Sequence, residues 1–422
     1  MSSELIVNST HNGGRIALLQ DKNLVEFHHE DSQNNFTVGD IYLGIVKRVI
    51  PGLNAAFVDI GYEKDAFLHY LDLGPNVRSL MKHTKIVRSN RRPLKGRLND
   101  FRMEKEINKL GKMDEVLKGN HQVLVQVVKE PISTKGPRLS SQLSLAGRYL
   151  VLSPFSDSVN ISRKITDKNE RRRLQRLILS IKPEHFGVIV RTMAEGQDVA
   201  ELDRDLKSLV ARWDEGMKKL AHAKPKQKIV GEVSRASSIL RDMLNEDFDS
   251  ITVDQEKTYE TIKKFVGDIA PDKLSLVKHY QGKAKIFEAF GIEKQIKLLF
   301  GRTVSLPKGG YIIIEHTEAL HVVDVNSGNK AAKEESQEIT ALKVNMEAAA
   351  EVARQLRLRD MGGIIVVDFI DMKRIENKKK VYQHIKDELK ADRSKYTVLP
   401  LTKFGLMQIT RQRVRPELSI IT

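Results

Sequence analysis

Residues 1–35 alternate loosely between apolar and polar positions (Leu5 and Val7, Ala17 and Leu19, Leu24 and Glu26), which predicts two or three short strands. From Gly39 the alternation tightens. GDIYLGIVKRVI reads as a strand, Pro51-Gly52 as a turn, NAAFVDI as a strand, Gly61-Tyr62 as a turn and DAFLH as a third strand. Strand, tight turn and strand at this spacing predict a small antiparallel barrel, with HQVLVQVVKE at 121–130 as its closing strand. GRYLVLSP, VNISR and FGVIVRT read as further strands. Amphipathic helices run over 166–181 and 197–221, the second carrying Leu202, Leu206, Val210, Trp213 and Met217 at helical spacing. Beyond AKPKQK, a boundary by composition, 235–245 and 255–268 read as helices around the strand SITV. The last third alternates most regularly. It gives a hairpin of YIIIE and LHVVDVN, a helix over 335–360 terminated by Gly362-Gly363, the buried strand IIVVDF, and a helix over 374–391. Strands alternating with helices indicate an α/β layered domain, and the whole reads as an α/β multidomain chain.

Residues 81–120 break the pattern. Twelve Lys and Arg stand there against five Asp and Glu, with few strong apolar positions before an amphipathic stretch near 103–117. This composition reads as a solvated insertion, or as an arm that contacts nucleic-acid phosphates.

Charge points the same way for the whole molecule. The 422 residues, enough for two to four domains, carry 71 Lys and Arg against 55 Asp and Glu, a formal charge of +16. A chain this basic meets a polyanion or an acidic surface, nucleic acid first and a membrane surface second. No stretch approaches eighteen uninterrupted apolar residues, and MSSELIVNSTHNGG has neither a basic leader nor an apolar signal core, so a cytoplasmic location is expected. Cysteine is absent, which excludes disulfides, thiol nucleophiles, iron–sulfur clusters and Cys-based zinc sites within these residues. Twelve His form no HExxH arrangement. Any metal must therefore be held mainly by carboxylates, which suits Mg²⁺ or Mn²⁺.

Candidate chemistry falls in three places. In HVVDVN, strand periodicity puts Asp324 and Asn326 on one face, and in IIVVDFID, Asp368 ends a run of β-branched residues. A carboxylate in a buried strand costs several kcal/mol unless paired or metal-bound, so Asp324 and Asp368 read as ligands of one cation; the ordinary alternative is helix capping or pairing with Arg. Asp371, three residues past Asp368 and outside the strand, is a further acidic candidate that reads as a residue supporting the pair or as a turn residue. Second, Tyr42, Phe57, Tyr62 and Phe67 lie on or beside the barrel strands near Lys47, Arg48 and Lys64. Exposed rings there would stack bases, whereas Phe57 and Phe67 could equally be core. Third, KFGLMQITRQRVRPEL carries Lys403, Arg411, Arg413 and Arg415, a basic strand that would hold a phosphate chain or simply form a solvated face.

At these residues the sequence resembles the ribonuclease E/G family. TEALHVVDVNSG, NMEAAAEVARQLRLRDMGGIIVVDFIDM and FGLMQITRQR resemble its catalytic blocks. GDIYLGIVKRVIPGLNAAFVDIGYEKDAFL resembles its S1-motif barrel, and LSLAGRYLVL with GVIVRT its 5′-sensor region. The likeness spans nearly the whole chain except the basic stretch at about 80–118. It implies an RNase H-like subdomain from 1–35 and 237–299, an S1-type OB barrel over 36–141, a 5′ sensor over 142–236 and a DNase I-like catalytic subdomain over 300–422. It also implies Mg²⁺ on Asp324 and Asp368, with Asn326 in the active site, and a 5′-monophosphate pocket of Gly147, Val151, Arg191 and Thr192. The family's RNA-binding positions match Phe57, Phe67 and Lys135. The implied activity is metal-dependent endonucleolytic hydrolysis of single-stranded RNA, leaving 5′-phosphate and 3′-hydroxyl ends. It would favour 5′-monophosphorylated, AU-rich RNA and act in rRNA processing and mRNA decay. The rival readings are a non-catalytic RNA-binding or assembly factor and a deoxyribonuclease with the same chemistry. The family's zinc-sharing Cys-Pro-x-Cys segment has no counterpart in these residues, so zinc is not expected here and the homodimer that it links is in doubt.

Overall fold

The computed structural model describes residues 2–10, 13–31, 36–90, 98, 101–131, 135–328 and 337–413. They fall into two compact units, one of residues 1–33, 245–264 and 272–422, the other of residues 34–244 and 265–271.

The first unit holds two sheets. In one, the antiparallel strands Ser3–Thr10, Gly13–Gln20 and Asn23–Asp31 are extended by Phe248–Val253 and Val277–His279. Ser3–Thr10 runs parallel to Phe248–Val253, with Leu5 opposite Ile251 and Val7 opposite Val253. Leu5, Ile6 and Val7 are all buried, as a strand inside a sheet covered on both faces requires.

The other sheet has six strands in the order Thr303–Ser305, Tyr311–His316, Leu320–Asn326, Gly363–Asp368, Leu406–Arg411 and Tyr396–Val398. Helices Gln337–Leu358 and Ile375–Glu388 cover one face only. Val323, Val325, Ile365, Val367, Met407 and Ile409 point into that core with Ala348, Val352, Val381 and Ile385. Of the opposite parity, Asp324, Ile364 and Asp368 are exposed and Val322 and Val366 half-buried. IIVVDF is therefore not buried on both faces: Ile364 is 42% exposed, because among the described residues the second face of this sheet carries no helix layer. Nor does Gly362-Gly363 end the long helix. Asp360 takes the left-handed conformation (φ 51°), with Asp360 N bonded to Arg357 O (3.3 Å) and Met361 N to Leu356 O (3.1 Å). This is a Schellman close, and an Asp tolerates it better than most residues.

The second unit is built on a closed barrel. Ile41–Ile50, Ala55–Asp59, Ala66–His69, Arg138–Ser140 and Gln122–Lys129 pair in sequence around it, and Gln122–Lys129 returns to Ile41–Ile50. Val46, Val58, Leu68, Val125 and Leu139 fill it. Lys228–Val230, a strand that the sequence pattern did not reveal, pairs with its rim. Beside the barrel a four-stranded sheet (Val159–Ile161, Phe186–Val190, Leu150–Pro154, Leu145–Ala146) packs on helices Lys168–Ile181 and Val199–His222. Asp167 and Asp198 cap those helices, accepting from Glu170 N (3.0 Å) and Glu201 N (2.9 Å). The sole tryptophan, Trp213 on the helix Val199–His222, is fully buried against Phe155 and Phe186.

The basic stretch is only partly solvated where it is described: most of residues 102–120 are exposed, but its helical part is not. Val77–Asn90 is a helix whose Val77, Leu80, His83, Thr84 and Val87 are buried, and Phe101, Met113 and Leu117 are buried beyond it. The apolar positions are spaced for one helix face, so the lysines and arginines between them solvate the outer side without making the segment loose.

Candidate functional site

The strands Leu320–Asn326 and Gly363–Asp368 are parallel neighbours in register, with Asp324 directly opposite Asp368. Parallel register puts both side chains on the same face at the same strand ends. That face is the uncovered one, so both carboxylates are exposed, and the expected cost of burying a charge does not arise. What the pair faces instead is repulsion. The Asp368 carboxyl is held above the usual carboxylate range by partial desolvation and then by the negative charges of Asp324 and Asp371. Asp371 is thus close enough to act on Asp368, although it lies beyond the strand. Asn326, two residues from Asp324 on the same face, donates from Nδ2 to Asp324 Oδ2 (2.8 Å).

Two adjacent carboxylates with oxygen donors only are suited to a hard divalent cation. Among the described residues no group of three or more His, Cys, Asp or Glu is placed to hold a metal. Two protein carboxylates are the complement that Mg²⁺ commonly uses, its other positions going to water and phosphate oxygens. The residues present fit that ion.

The basic tail divides on inspection. Arg411 is buried and committed to structure: Nε donates to Asp392 Oδ2 (2.7 Å), and Nη1 to Asp360 Oδ1 (2.7 Å) and Met361 O (2.9 Å). Arg411 therefore cannot offer its guanidinium to a phosphate. Arg413 Nη2 donates to Gly362 O (3.0 Å). Lys403 is exposed, and Arg415 lies outside the described residues.

On the barrel, Phe57 and Phe67 are cross-strand partners with ring centroids 5.9 Å apart, edge to face. Both are half-buried, and Arg48 sits 4.8 Å over the Phe57 ring, so these rings belong to the surface and not to the barrel core. Lys135 is exposed beside them, two residues before Pro137, whose carbonyl accepts from Phe67 N (2.8 Å). Tyr42 separates from this group. It is 3% exposed, stacks on Phe36 (5.3 Å) and donates to Asp40, so it is a core ring with no face for a base. Tyr62 packs edge-on against the same Phe36.

The third group lies in the same unit as the barrel. Arg191 follows the strand Phe186–Val190, donating from Nη1 to Gly147 O (2.7 Å) and pairing through Nη2 with Asp242 Oδ1 (2.8 Å). Thr192 Oγ1 lies 3.0 Å from Ser162 Oγ, and Val151 pairs with Ile189 and Ala146. Gly147 is forced by its neighbour: a Cβ there would lie 2.5 Å from Asp205 Oδ1. Half-buried Asp205 has its carboxyl raised by desolvation, opposed by the N–H groups of Tyr149, Leu150 and Arg148. The sequence alone did not point to Asp242 or Asp205, since an acidic residue on a helix is ordinarily solvated.

Comparison with known proteins gives these features a family. Residues 144–414 match the model of the ribonuclease E/G family. Over 98% of its length the chain is 36% identical to ribonuclease G of Escherichia coli (strain K12), covering 81% of that protein. It is 36% identical to ribonuclease G of Haemophilus influenzae over the same share, covering 80% of it. Over 89% of the chain it is 39% identical to ribonuclease E of a Nostoc species, covering 51% of that longer protein. A family match over more than half of the chain, with relatives aligned along nearly all of it, places this protein in the ribonuclease E/G family.

Proposed function

We propose that this chain is a Mg²⁺-dependent, single-strand-specific endoribonuclease, with Mn²⁺ able to replace Mg²⁺, that leaves 5′-phosphate and 3′-hydroxyl ends. That it is an endoribonuclease follows from its family; the metal, the products and the substrate preference are our reading. The observation that carries it is the registered pair Asp324 and Asp368 on the open face of a six-stranded sheet. Asp324 and Asp368 would hold the ion, which when bound polarises a phosphate oxygen and activates water for in-line attack. Asn326 fixes the orientation of the Asp324 carboxylate through its 2.8 Å bond. Phe57 and Phe67 supply stacking surfaces and Lys135 a cation for single-stranded RNA. Arg191 and Thr192, with Gly147 and Val151 forming the wall, would receive a terminal 5′-monophosphate, a group that a guanidinium fork binds bidentately. On this reading the enzyme favours 5′-monophosphorylated, AU-rich RNA, acts in rRNA processing and mRNA decay, and works in the cytoplasm; among the described residues no helix is long and apolar enough to cross a membrane.

We also read the closed barrel as the S1-type domain (36–141) and the sheet with its two capped helices as the 5′ sensor (142–236). The six-stranded sheet is read as the DNase I-like subdomain (300–422). The pairing of Ser3–Thr10 with Phe248–Val253 supports an RNase H-like subdomain assembled from 1–35 and 237–299. The test is incubation with a 5′-monophosphorylated, AU-rich single-stranded RNA in Mg²⁺ and then in EDTA, beside Asp324→Asn. Cleavage that needs Mg²⁺ and is lost in the variant supports the reading. Cleavage that survives EDTA overturns the metal assignment, and binding without cleavage overturns catalysis.

A further inference from the structure

One side chain beside the acidic pair has no part in that scheme. The Phe404 ring is 83% exposed, on a turn leading into Leu406–Arg411. That strand pairs with Gly363–Asp368, with Leu406 opposite Asp368. The turn is firmly closed: Thr402 N donates to Leu406 O (2.8 Å), Gly405 N to Thr402 O (3.3 Å) and Leu406 N to Thr402 Oγ1 (3.1 Å). Gly405 adopts φ +81°, and a Cβ there would lie 3.1 Å from Phe369 O and 3.2 Å from Asp371 Oδ1. The turn is therefore seated directly on the segment that carries Asp368 and Asp371. Cations border it. Lys378 Nζ donates to Lys403 O (3.4 Å), and Lys403 itself is exposed.

An aromatic ring left in water gains nothing for folding. Held on a fixed turn, flanked by ammonium groups and one strand away from a phosphate-handling acidic pair, it has the makings of a stacking platform for single-stranded nucleic acid. We propose that Phe404 stacks on an unpaired base adjoining the scissile phosphate, while Lys403 and Lys378 hold the neighbouring backbone. The proposal rests on the endoribonuclease reading above. It also gives that reading a local source of single-strand selectivity, since a base inside a duplex has no free face to offer.

The test uses the full chain. Stacking present in both ground and transition states should appear in KM and not in kcat. Phe404→Ala is expected to raise KM for a short single-stranded RNA about ten-fold with kcat nearly unchanged. Phe404→Trp should restore KM, and Phe404→Leu, apolar but without a π face, should not. Abasic substitutions walked along the RNA should reveal one position whose loss costs the wild type about ten-fold and Phe404→Ala nothing more. In EDTA, 2-aminopurine at that position should be quenched by the wild type and not by Phe404→Ala. If the wild type fails to cleave yet shows this quenching, catalysis is refuted and the platform stands. If the wild type cleaves, and Phe404→Ala matches it in KM and quenching, the platform alone is refuted. A change confined to oligomeric state would overturn it in favour of a contact between copies of the chain.

Discussion

The two sites proposed to handle phosphate pose opposite electrostatic problems. In one unit, Asp324 and Asp368 stand side by side, and the charges that act on Asp368 are those of two other carboxylates. In the other, Arg191 is already matched to Asp242, which also receives Arg241 Nε (3.1 Å), while Arg241 Nη1 reaches Glu232 (2.6 Å). On the proposed reading the acidic pair, with only Asn326 bonded to it, would draw a cation from solution to hold a phosphate. The guanidinium is preset by its carboxylates, so it contributes orientation more than fresh charge. The first site should be sensitive to the loss of any ligand. The second should be sensitive to geometry.

The largest expected effect follows for the acidic pair. Asp324→Asn or Asp368→Asn should lower cleavage by about a thousand-fold or more at saturating Mg²⁺, several kcal/mol of transition-state stabilisation. RNA affinity in EDTA should not weaken, because without the ion each carboxylate only repels phosphate. A filter-binding titration in EDTA checks this, and a marked loss of affinity there would show that the carboxylates act on RNA otherwise than through a cation.

The units also differ in how they hold a buried imidazole, and this yields a pH prediction of intermediate size. His83, 2% exposed in the barrel-bearing unit, stands among Phe101, Phe155 and Trp213, and burial alone pushes its pKa down from 6.5 to about 4. His321 in the other unit is also lowered to about 4, but by burial together with the positive charges of His316, Arg413 and Arg359. A depressed imidazole means that the unfolded chain binds more protons between pH 4 and 6.5. Stability is then complete above pH 6.5 and is lost as pH falls toward 4, by about 3 kcal/mol for a group as buried as His83. His83→Phe should flatten that fall, as read by tryptophan fluorescence, because Trp213 reports on this cluster. His321→Phe should leave the Trp213 signal's pH dependence as it is. A His83 variant with the same acid transition as the wild type would remove His83 as its source.

Sequence patterns reached as far as local rules reach. The barrel was readable because period-two alternation and the Pro51-Gly52 and Gly61-Tyr62 turns are local signals. Asp324 and Asn326 could be placed on one face because strand parity is arithmetic. That Asp368 stands opposite Asp324 depends on a parallel register bridged by a long helix, which parity cannot supply. Arg411 looked like a phosphate ligand because its partners, Asp360 and Asp392, come from other segments. Asp360 ends the helix where Gly362 was expected to, since αL is open to Asp as well as Gly. Phe404 stands just before an alternating strand and carries no signal of its own in the sequence; its 83% exposure marks it as surface. Arg191, an arginine ending an apolar strand, carries no signal of its own, and the pocket proposed around it comes from the sequence only through the family resemblance.

The Arg191 site gives the smallest effect and the finest version of the comparison. Arg191→Gln should erase the preference for 5′-monophosphate over 5′-hydroxyl RNA, a difference of about ten-fold if one charge-assisted contact carries it, while leaving basal cleavage of 5′-hydroxyl RNA. Arg191→Lys separates charge from geometry. One guanidinium reaches Gly147 O with Nη1 and Asp242 with Nη2, and a single ammonium cannot reproduce that fork. If orientation is what the site supplies, the lysine variant should lose most of the preference despite keeping its charge, leaving a residue of about two-fold or about 0.4 kcal/mol. Competition cleavage of the two RNAs by each variant measures the ratio directly. A lysine variant that keeps the full preference would make the pocket a simple point charge, and the contrast between the two sites would then be one of sign alone.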